Sequence, residues 1–249
     1  GAETPAASGS CYNWTFEPNW TSSNTPGTWT LEYGDDVQAW EADYVFGTGL
    51  SFSGSTEEAW QISCDVAAQA NSSTTFTGAG VTSGVTVETI LMQKSKLYLD
   101  DDTSAGPGTT QVTGAFLDFD WSLPEHFGPR FTGDGNLYFS GVRECKVAPE
   151  CSVTLVVDST TKDQITQKYE NQTKQLIRIE GNGASISTGT DKYVQLDMAG
   201  TITDLSELGE QDCDTIISVT YTGEYSSKWS KAFAINVLNE IQYPYGESS

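Results

Sequence analysis

The stretch "KLYLDDDTSAGPGTTQVTGAFLDFDWSL" (residues 96–123) alternates apolar and polar side chains at both ends and carries Asp, Gly and Pro in its middle. Alternation with a period of two is typical of a half-buried β-strand, and Asp, Gly and Pro favour the bend between two such strands. The pattern therefore predicts two strands joined by a polar bend. It leaves open whether the three consecutive aspartates of that bend do chemistry.

The spacing of Asp100, Asp101 and Asp102 does not suit a metal loop or a phosphate loop. A calcium loop places oxygen ligands at alternate positions and ends on a distal acidic ligand, whereas these aspartates are consecutive and the next acid is Asp118. A phosphate-cradling loop carries a lysine, which "GPGTT" lacks. We therefore expect a solvated bend without a metal or a cofactor.

The same alternation recurs along most of the chain, and one segment has a helical pattern. Ser159 is a suitable N-cap, and Ile165 and Tyr169 lie four residues apart, which predicts a helix over about 159–173. One helix among about ten strands predicts a mainly β protein, an antiparallel sandwich or barrel with a flanking helix. The predicted strands are 29–35, 37–46, 50–54, 60–68, 109–123, 136–141, 151–159, 175–181, 192–205, 215–225 and 232–241.

Residues 28–70 and 174–225 share an order of strand, acidic or glycine turn, long strand, turn and strand. The similarity predicts a tandem of two related units. Residues 1–90 would form the first, incomplete at its N-terminus, and residues 91–249 would form the second, complete one.

The formal net charge is −22, and it is distributed unevenly: residues 1–93 contain 11 acids and no Lys or Arg. Nucleic-acid binding depends on Lys and Arg neutralising phosphates, so such a surface repels nucleic acid. Solubility or adaptation to salt explains the same composition equally well. No apolar run approaches the ~18 residues of a membrane span. The odd number of cysteines, five, and their wide spacing argue against a secreted disulfide framework, although Cys145 and Cys151 could bridge a hairpin.

No catalytic motif is recognisable, and the single histidine, His126, has no nucleophile or orienting carboxylate nearby in sequence. The chain is therefore not predicted to be an enzyme, although 34 acids leave a paired-carboxylate hydrolase open. A second alternative is a secreted carbohydrate-binding β-sandwich, in which Trp14 and Trp20 stack on sugars. It would be glycosylated at sequons such as Asn13, Asn19, Asn71 and Asn171.

The order of several blocks resembles the major tail tube protein of long-tailed, non-contractile (siphovirus-like) viruses of bacteria or archaea. The blocks are the opening stretch at 96–123, "FTGDGNLYFSG" (131–141), a strand and a helix, "QLIRIEGNG" (175–183), and the closing block at 193–241. In the closing block, the "GEQD" turn followed by two strands ending in "VLN" is the most specific part. With the upstream segment "YNWTFEPNWTSSNTPGTWTLEYGDDVQAWEADYVF" (12–46), the resemblance covers residues 12 to 241.

The resemblance implies a structural protein of the virion. Its rings would stack into a tail tube, with other tail proteins at the tube ends, and viral DNA would pass through an acidic channel without specific binding. Two-unit members imply trimeric rings with pseudo-sixfold symmetry, and single-unit members imply hexamers. By analogy, the segment 124–135 is a loop that touches the adjacent ring, and its contact candidates are Pro124, Glu125, His126, Phe127, Arg130 and Asp134. The candidates for an acidic rim or channel surface are Asp100, Asp101 and Asp102.

Overall fold

The computed structural model describes residues 6–8, 11–20, 23–35, 37–75, 88–103, 105–146, 148–187 and 189–241. It contains seventeen β-strands and one α-helix in these ranges, together with a short 3-10 helix at Met92–Lys94. This confirms the predicted mainly β, antiparallel fold with a single flanking helix. The elements are β1 Ala6–Ser8, β2 Cys11–Phe16, β3 Trp29–Gly34, β4 Ala39–Ser55, β5 Gln61–Ala67, β6 Ala70–Thr74, β7 Ser95–Asp101, β8 Gln111–Val112, β9 Phe116–Leu123, β10 Phe127–Arg130, β11 Gly141–Glu144, β12 Glu150–Val156, α1 Ser159–Glu170, β13 Gln175–Ser187, β14 Thr190–Leu205, β15 Gly209–Gln211, β16 Asp214–Gly223 and β17 Phe233–Asn239.

Strand β14 connects two layers of one 15-stranded antiparallel sheet. Its first half lies between β13 and β17, and its second half pairs with β16. The first layer has the order β8–β7–β13–β14–β17–β2–β1, and the second has the order β14–β16–β12–β9–β4–β5. Gly200 lies where β14 changes partner, and a Cβ there would come within 2.6 Å of the Thr222 carbonyl oxygen. The bend therefore requires glycine at this position.

The main core lies between the two layers. Alternate residues of β13 and β14 contribute Ile177, Ile179, Leu196 and Met198, and the facing layer contributes β9, β12 and β16 residues that include the fully buried Trp121. In β9, β12 and β16, every second side chain lies in the core, as the sequence alternation predicts. The side chain of Ile165 from α1 is also fully buried in this core, so the helix packs against the layers through the face on which Ile165 lies.

Two smaller parts extend the second layer. The N-terminal half of β4 pairs with β3 and β6 to form a three-stranded sheet, which we call the arm (residues 29–43 and 70–74). Strands β10 and β11 form a separate two-stranded hairpin, which we call the 124–146 hairpin. The hairpin packs at the root of the arm, where the buried Phe139 meets Phe46 edge-on with ring centroids 5.7 Å apart.

Several local predictions differ from the structure. The predicted strand 109–123 is two strands, because β8 pairs with β7 in the first layer and β9 pairs with β12 and β4 in the second. The predicted strands 37–46 and 50–54 are one continuous strand, because Gly47 and Gly49 stay within the ladder that β4 forms with β5. Residues 136–140 are not a strand, and pairing begins only at Gly141. The predicted loop at 124–135 contains β10, whose residues pair with β11. The Ser/Thr-rich segment after residue 70, for which no strand was predicted, forms β6, because it pairs with β4.

Candidate channel-facing surface and assembly contacts

The outer surface of the second layer carries three registered rows of four side chains, all of them Ser, Thr, Asp or Glu. Each row crosses β4, β9, β12 and β16 in that order. We call these twelve residues the hydroxyl–carboxylate face. The rows are Ser51–Ser122–Glu150–Thr222, Ser53–Asp120–Ser152–Thr220 and Ser55–Asp118–Thr154–Ser218.

Local sequence places these side chains opposite the core. The alternating strings "SFSGS" in β4, "DFDWS" in β9, "ECSVT" in β12 and "SVTYT" in β16 put an apolar residue or glycine between successive polar ones. The apolar set, which includes Phe52, Phe119, Trp121, Val153 and Tyr221, is buried in the core. The polar set must therefore point to the other side of the sheet.

The polar groups of this face bond to one another or face water. The hydroxyl oxygens of Ser152 and Thr220 are 2.9 Å apart, and those of Thr154 and Ser218 are 3.0 Å apart. Among the described residues, Asp118, Asp120 and Glu150 form no ion pair, and the twelve positions include no base. Ser53, Ser55, Asp118, Asp120 and Ser152 also line an open cavity of about 360 Å³. The face is therefore hydrophilic, with three uncompensated carboxylates.

Both edge strands of this layer lack a partner on one side within the described ranges. Strand β5 pairs only with β4, and its Ile62 and Val66 side chains are 67% and 47% exposed. At the opposite edge, β13 leaves β14 at Gly200, so residues 201–205 pair with β16 alone. Open edges of this kind pair readily with another chain. The layer therefore presents two free edges that flank the hydroxyl–carboxylate face.

The three predicted rim aspartates have different environments. The Asp100 side chain is 3% exposed, and its carboxylate accepts backbone N–H groups of Gly108, Thr109 and Thr110 at 2.6 to 2.9 Å. Burial raises the pKa of Asp100, but these hydrogen bonds outweigh it, so the pKa lies below its ordinary value. Asp100 thus fixes the bend that follows it, and its oxygens are already used. Of the described residues, no three His, Cys, Asp or Glu side chains form a group suited to a metal ion.

Asp101 and Asp102 lie nearer the surface and link the bend to other elements. Exposed Asp101 forms an ion pair with Lys168 of α1, and Asp102 accepts a hydrogen bond from the buried Ser226 hydroxyl. The structure therefore does not bring the three carboxylates together as a cluster.

The predicted ring-contact residues divide between the base and the tip of the 124–146 hairpin. At the base, Glu125 pairs with Arg143 at 3.4 Å and Phe127 lies in β10, directly after exposed Pro124 and buried His126. Arg130 and Asp134 are exposed near the tip. Sequence reasoning missed the tip's apolar side chains: Phe131, Leu137 and Tyr138 are 67%, 92% and 54% exposed. The string "NLYFSG" was the available signal, but its alternation was interpreted as a strand.

His126 is the single histidine, and it is buried rather than presented to solvent. Its main chain is fixed at both sides, because its N–H donates to Thr48 O and its carbonyl accepts from Cys145 N–H. Neither ring nitrogen has a hydrogen-bond partner, and Glu144 lies 3.9 Å from Nε2. Burial lowers the pKa of His126, opposed by the backbone at Cys145 and by the charge of Glu144. The imidazole is therefore neutral at pH 7.

Of the two tryptophans proposed for carbohydrate stacking, Trp14 is buried and Trp20 is half-buried. Trp14 is 6% exposed and donates from Nε1 to the Ile241 carbonyl at 3.0 Å. Trp20 packs edge-on against Phe233 with ring centroids 5.7 Å apart. Both rings thus serve packing. Cys145 and Cys151 are free thiols, and burial raises the pKa of Cys151.

No helix in the described part of the chain is long and apolar enough to cross a membrane. No protein-family model matches the sequence, and no curated protein matches it. Among solved structures, the chain is similar to the SPP1 tail tube structure determined by solid-state NMR and cryo-electron microscopy. The two share 19% identity with a TM-score of 0.38, over 53% of this chain and 74% of the other. Similarity at this level assigns no function, so the function has to be argued from the surfaces described above.

Proposed function

We propose that this protein is a structural component of a viral tail, and not an enzyme. Copies assemble into rings, the rings stack into the tail tube of the virion, and the hydroxyl–carboxylate face lines the channel through which DNA passes. The observation that carries the proposal is the combination of twelve Ser, Thr, Asp and Glu side chains without a base on a layer whose two edges have no partner among the described residues.

Ring closure follows from pairing of the two free edges. Edge β5 of one copy would pair with residues 201–205 of the next, which satisfies backbone groups that are otherwise unpaired. The two edges differ, so the contact is heterologous and repeats around a ring until it closes. The second layers of all copies then form one continuous barrel.

The chemistry of the face suits a channel for DNA. Carboxylates such as those of Asp118, Asp120 and Glu150 repel phosphates, and their field sums over many stacked copies. Hydroxyls hydrate the wall without adding positive charge, so no counterion release drives DNA to bind. DNA therefore passes without being retained. Asp101 and Asp102 stay candidates for an acidic rim of the channel.

The number of copies in one ring depends on how many related units each chain contains. If residues 1–90 and 91–249 form two related units, three copies close a ring with pseudo-sixfold symmetry; if the whole chain acts as one unit, six copies do. Successive rings touch through the 124–146 hairpin, and other tail proteins join the tube at its ends. Native mass spectrometry of isolated rings distinguishes three copies from six.

Negative-stain imaging of the purified chain tests the proposal directly. We expect rings or tubes of constant diameter. A chain that stays monomeric at high protein concentration, in both low and high salt, would contradict it.

A second experiment tests the edge contact. The double variant Ile62→Lys/Val66→Lys places two charges on exposed positions of β5, so it should abolish rings while leaving the unfolding free energy within about 0.5 kcal/mol of the parent. Glu170→Lys makes the same change in net charge at the end of α1 and serves as the control. Rings formed equally well by both variants would exclude β5 as the contact.

A third experiment tests the channel wall. Asp120→Lys should convert assembled tubes from excluding DNA to retaining it, and the retention should fall as salt rises, by about 0.9 in the log–log slope for each phosphate neutralised. Glu170→Lys tubes should exclude DNA like the wild type. If Asp120→Lys tubes also exclude DNA, the face does not line the channel.

A further inference from the structure

The arm carries a row of large apolar side chains on one strand. Trp29, Leu31 and Tyr33 alternate along β3, so they share one face of the arm, and they are 45%, 40% and 45% exposed. Tyr33 is held in place because its hydroxyl accepts from Asn71 Nδ2 of β6 at 2.7 Å. Single exposed apolar residues are ordinary, but a row of three on a three-stranded sheet indicates a contact surface.

The tip of the 124–146 hairpin carries a second apolar set of similar size. Phe131, Leu137 and Tyr138 project from a tip that is anchored by the buried Phe139. The anchor is fixed by the edge-on contacts of its ring with Phe46 and Phe131 and by the hydrogen bond from Gln69 Nε2 to its carbonyl at 2.8 Å. The tip is thus an apolar protrusion on a firmly packed base.

The arm is strongly acidic, whereas the hairpin carries bases as well as acids. The arm contains Glu32, Asp35, Glu41 and Asp43 and no base, because no Lys or Arg precedes Lys94. Glu32 and Glu41 face each other across β3 and β4, on the side opposite Trp29, Leu31 and Tyr33, which we call the aromatic row. Because the arm is a single sheet, the negative potential of these carboxylates also extends to the side of the aromatic row. The hairpin contains three bases (Arg130, Arg143 and Lys146) and three acids (Glu125, Asp134 and Glu144), and Arg143 pairs with Glu125. Arg130 immediately precedes the exposed Phe131.

We propose that the hairpin tip of one copy docks on the aromatic row of the arm of a second copy. Phe131, Leu137 and Tyr138 cover Trp29, Leu31 and Tyr33, and Arg130, next to Phe131, lies in the negative field of the arm. The two surfaces differ, so each copy offers one of each and the contact continues from copy to copy. This inference rests on the proposed function in that it names the arm as the receptor for the contact between successive rings.

The test disrupts each of the two surfaces in a separate variant. The hairpin variant is Leu137→Asp/Tyr138→Asp, and the arm variant is Trp29→Asp/Leu31→Asp. Both are made in the Ile62→Lys/Val66→Lys background, so that pairing is measured between single chains whether or not rings form. Each variant alone retains only one half of the contact, whereas a mixture restores one intact pair.

Sedimentation of the equimolar mixture should show a 1:1 complex that is at least ten-fold tighter than the self-association of either variant. The control Leu91→Asp changes a side chain of similar exposure (42%) outside both surfaces and should self-associate like its parent. If only the hairpin variant loses self-association, the hairpins contact each other and the inference is wrong. If the arm variant instead unfolds more easily and no complex forms, the chain itself covers the aromatic row and the inference is also wrong.

The outcomes distinguish this inference from the proposed function. Wild-type tubes without a mixed complex would overturn the docking and leave the tail function standing. A mixed complex without rings or tubes from the wild type would support the docking and overturn the tail function.

Discussion

The outer surfaces of the two layers are both polar, but they differ in how their charged side chains are paired. The first layer carries a set of mutually bonded charges and amides, which we call the paired-charge face: Lys96, Arg178, Glu180, Gln195, Asp197, Asn236 and Thr15. Arg178 holds Asp197 with two hydrogen bonds at 2.6 and 2.8 Å, and Glu180 accepts from Lys96 and Gln195. The hydroxyl–carboxylate face of the second layer has carboxylates without such partners.

The difference shows that the acidity of the chain is not spread uniformly. On the paired-charge face, the buried Asp197 (2% exposed) faces the Arg178 guanidinium across the ladder. On the hydroxyl–carboxylate face, three carboxylates without a base lie among hydroxyls. The paired charges thus stabilise the fold, whereas the unpaired carboxylates of the hydroxyl–carboxylate face can act on other molecules in solution.

Arg178→Met should have the largest effect on stability. It leaves the buried Asp197 carboxylate without its guanidinium partner, which costs about 3–5 kcal/mol in the free energy of unfolding. Urea unfolding followed by tryptophan fluorescence measures the loss. The double variant Arg178→Met/Asp197→Leu should recover most of it, although Asn236 then loses its bond to Asp197. An equal loss in Asp120→Asn would remove the distinction between the two faces.

Asp100→Asn should have the next largest effect, about 1–3 kcal/mol, because three backbone N–H groups lose a charged acceptor. The pKa of Asp100 is lowered from 3.8 in the folded chain. Its contribution is therefore complete above pH 3.8 and is lost as the pH falls through the folded pKa. The difference in unfolding free energy between wild type and Asp100→Asn should shrink over that acid range. A difference that is independent of pH would show that the charge is not what stabilises the bend.

Local patterns predicted most strands and the helix, because these depend on alternation and on the i, i+4 spacing of Ile165 and Tyr169. The helix ends at Glu170 rather than 173, β14 begins two residues before its predicted range, and β16 begins one residue before its own. Register was not predictable. Ser53 meets Asp120 across 67 positions of sequence, and Ser152 meets Thr220 across 68. The four alternating strings were visible, but only long-range pairing aligns them into rows.

The burial of Asp100 could not be foreseen for a related reason. Three consecutive aspartates look equivalent in sequence, and a strand directs neighbours to opposite faces. Which face is covered depends on the path of residues 105–110, where Gly108 has a φ of +116° and packs against the Arg178 guanidinium. That path is set by the paired-charge face beneath it.

The same chemical change should have opposite signs on the two faces. Glu180→Gln removes a charge that Lys96 and Gln195 satisfy, so it should destabilise by about 1 kcal/mol. Asp118→Asn/Asp120→Asn removes two like charges from one strand face, so it should stabilise by about 0.2–1 kcal/mol. The gain should fade between 0.1 and 1 M salt, as the screening length drops from about 10 to about 3 Å. Thermal unfolding in both salts checks this, and destabilisation by both changes would contradict the comparison.

Removing hydroxyls should have the smallest effect. Ser152→Ala/Thr220→Ala deletes both partners of a half-buried pair, and replacing both sides of a hydrogen bond is nearly neutral, so we expect a change below about 0.5 kcal/mol. The hydroxyls would then be dispensable for folding, although they occupy nine of the twelve positions of the face. If these strand positions served folding alone, Val would be as suitable there as Thr. A near-zero loss, combined with altered passage of DNA through tubes of the same variant, would assign these hydroxyls to the channel wall; a loss above 1.5 kcal/mol would assign them to stability instead.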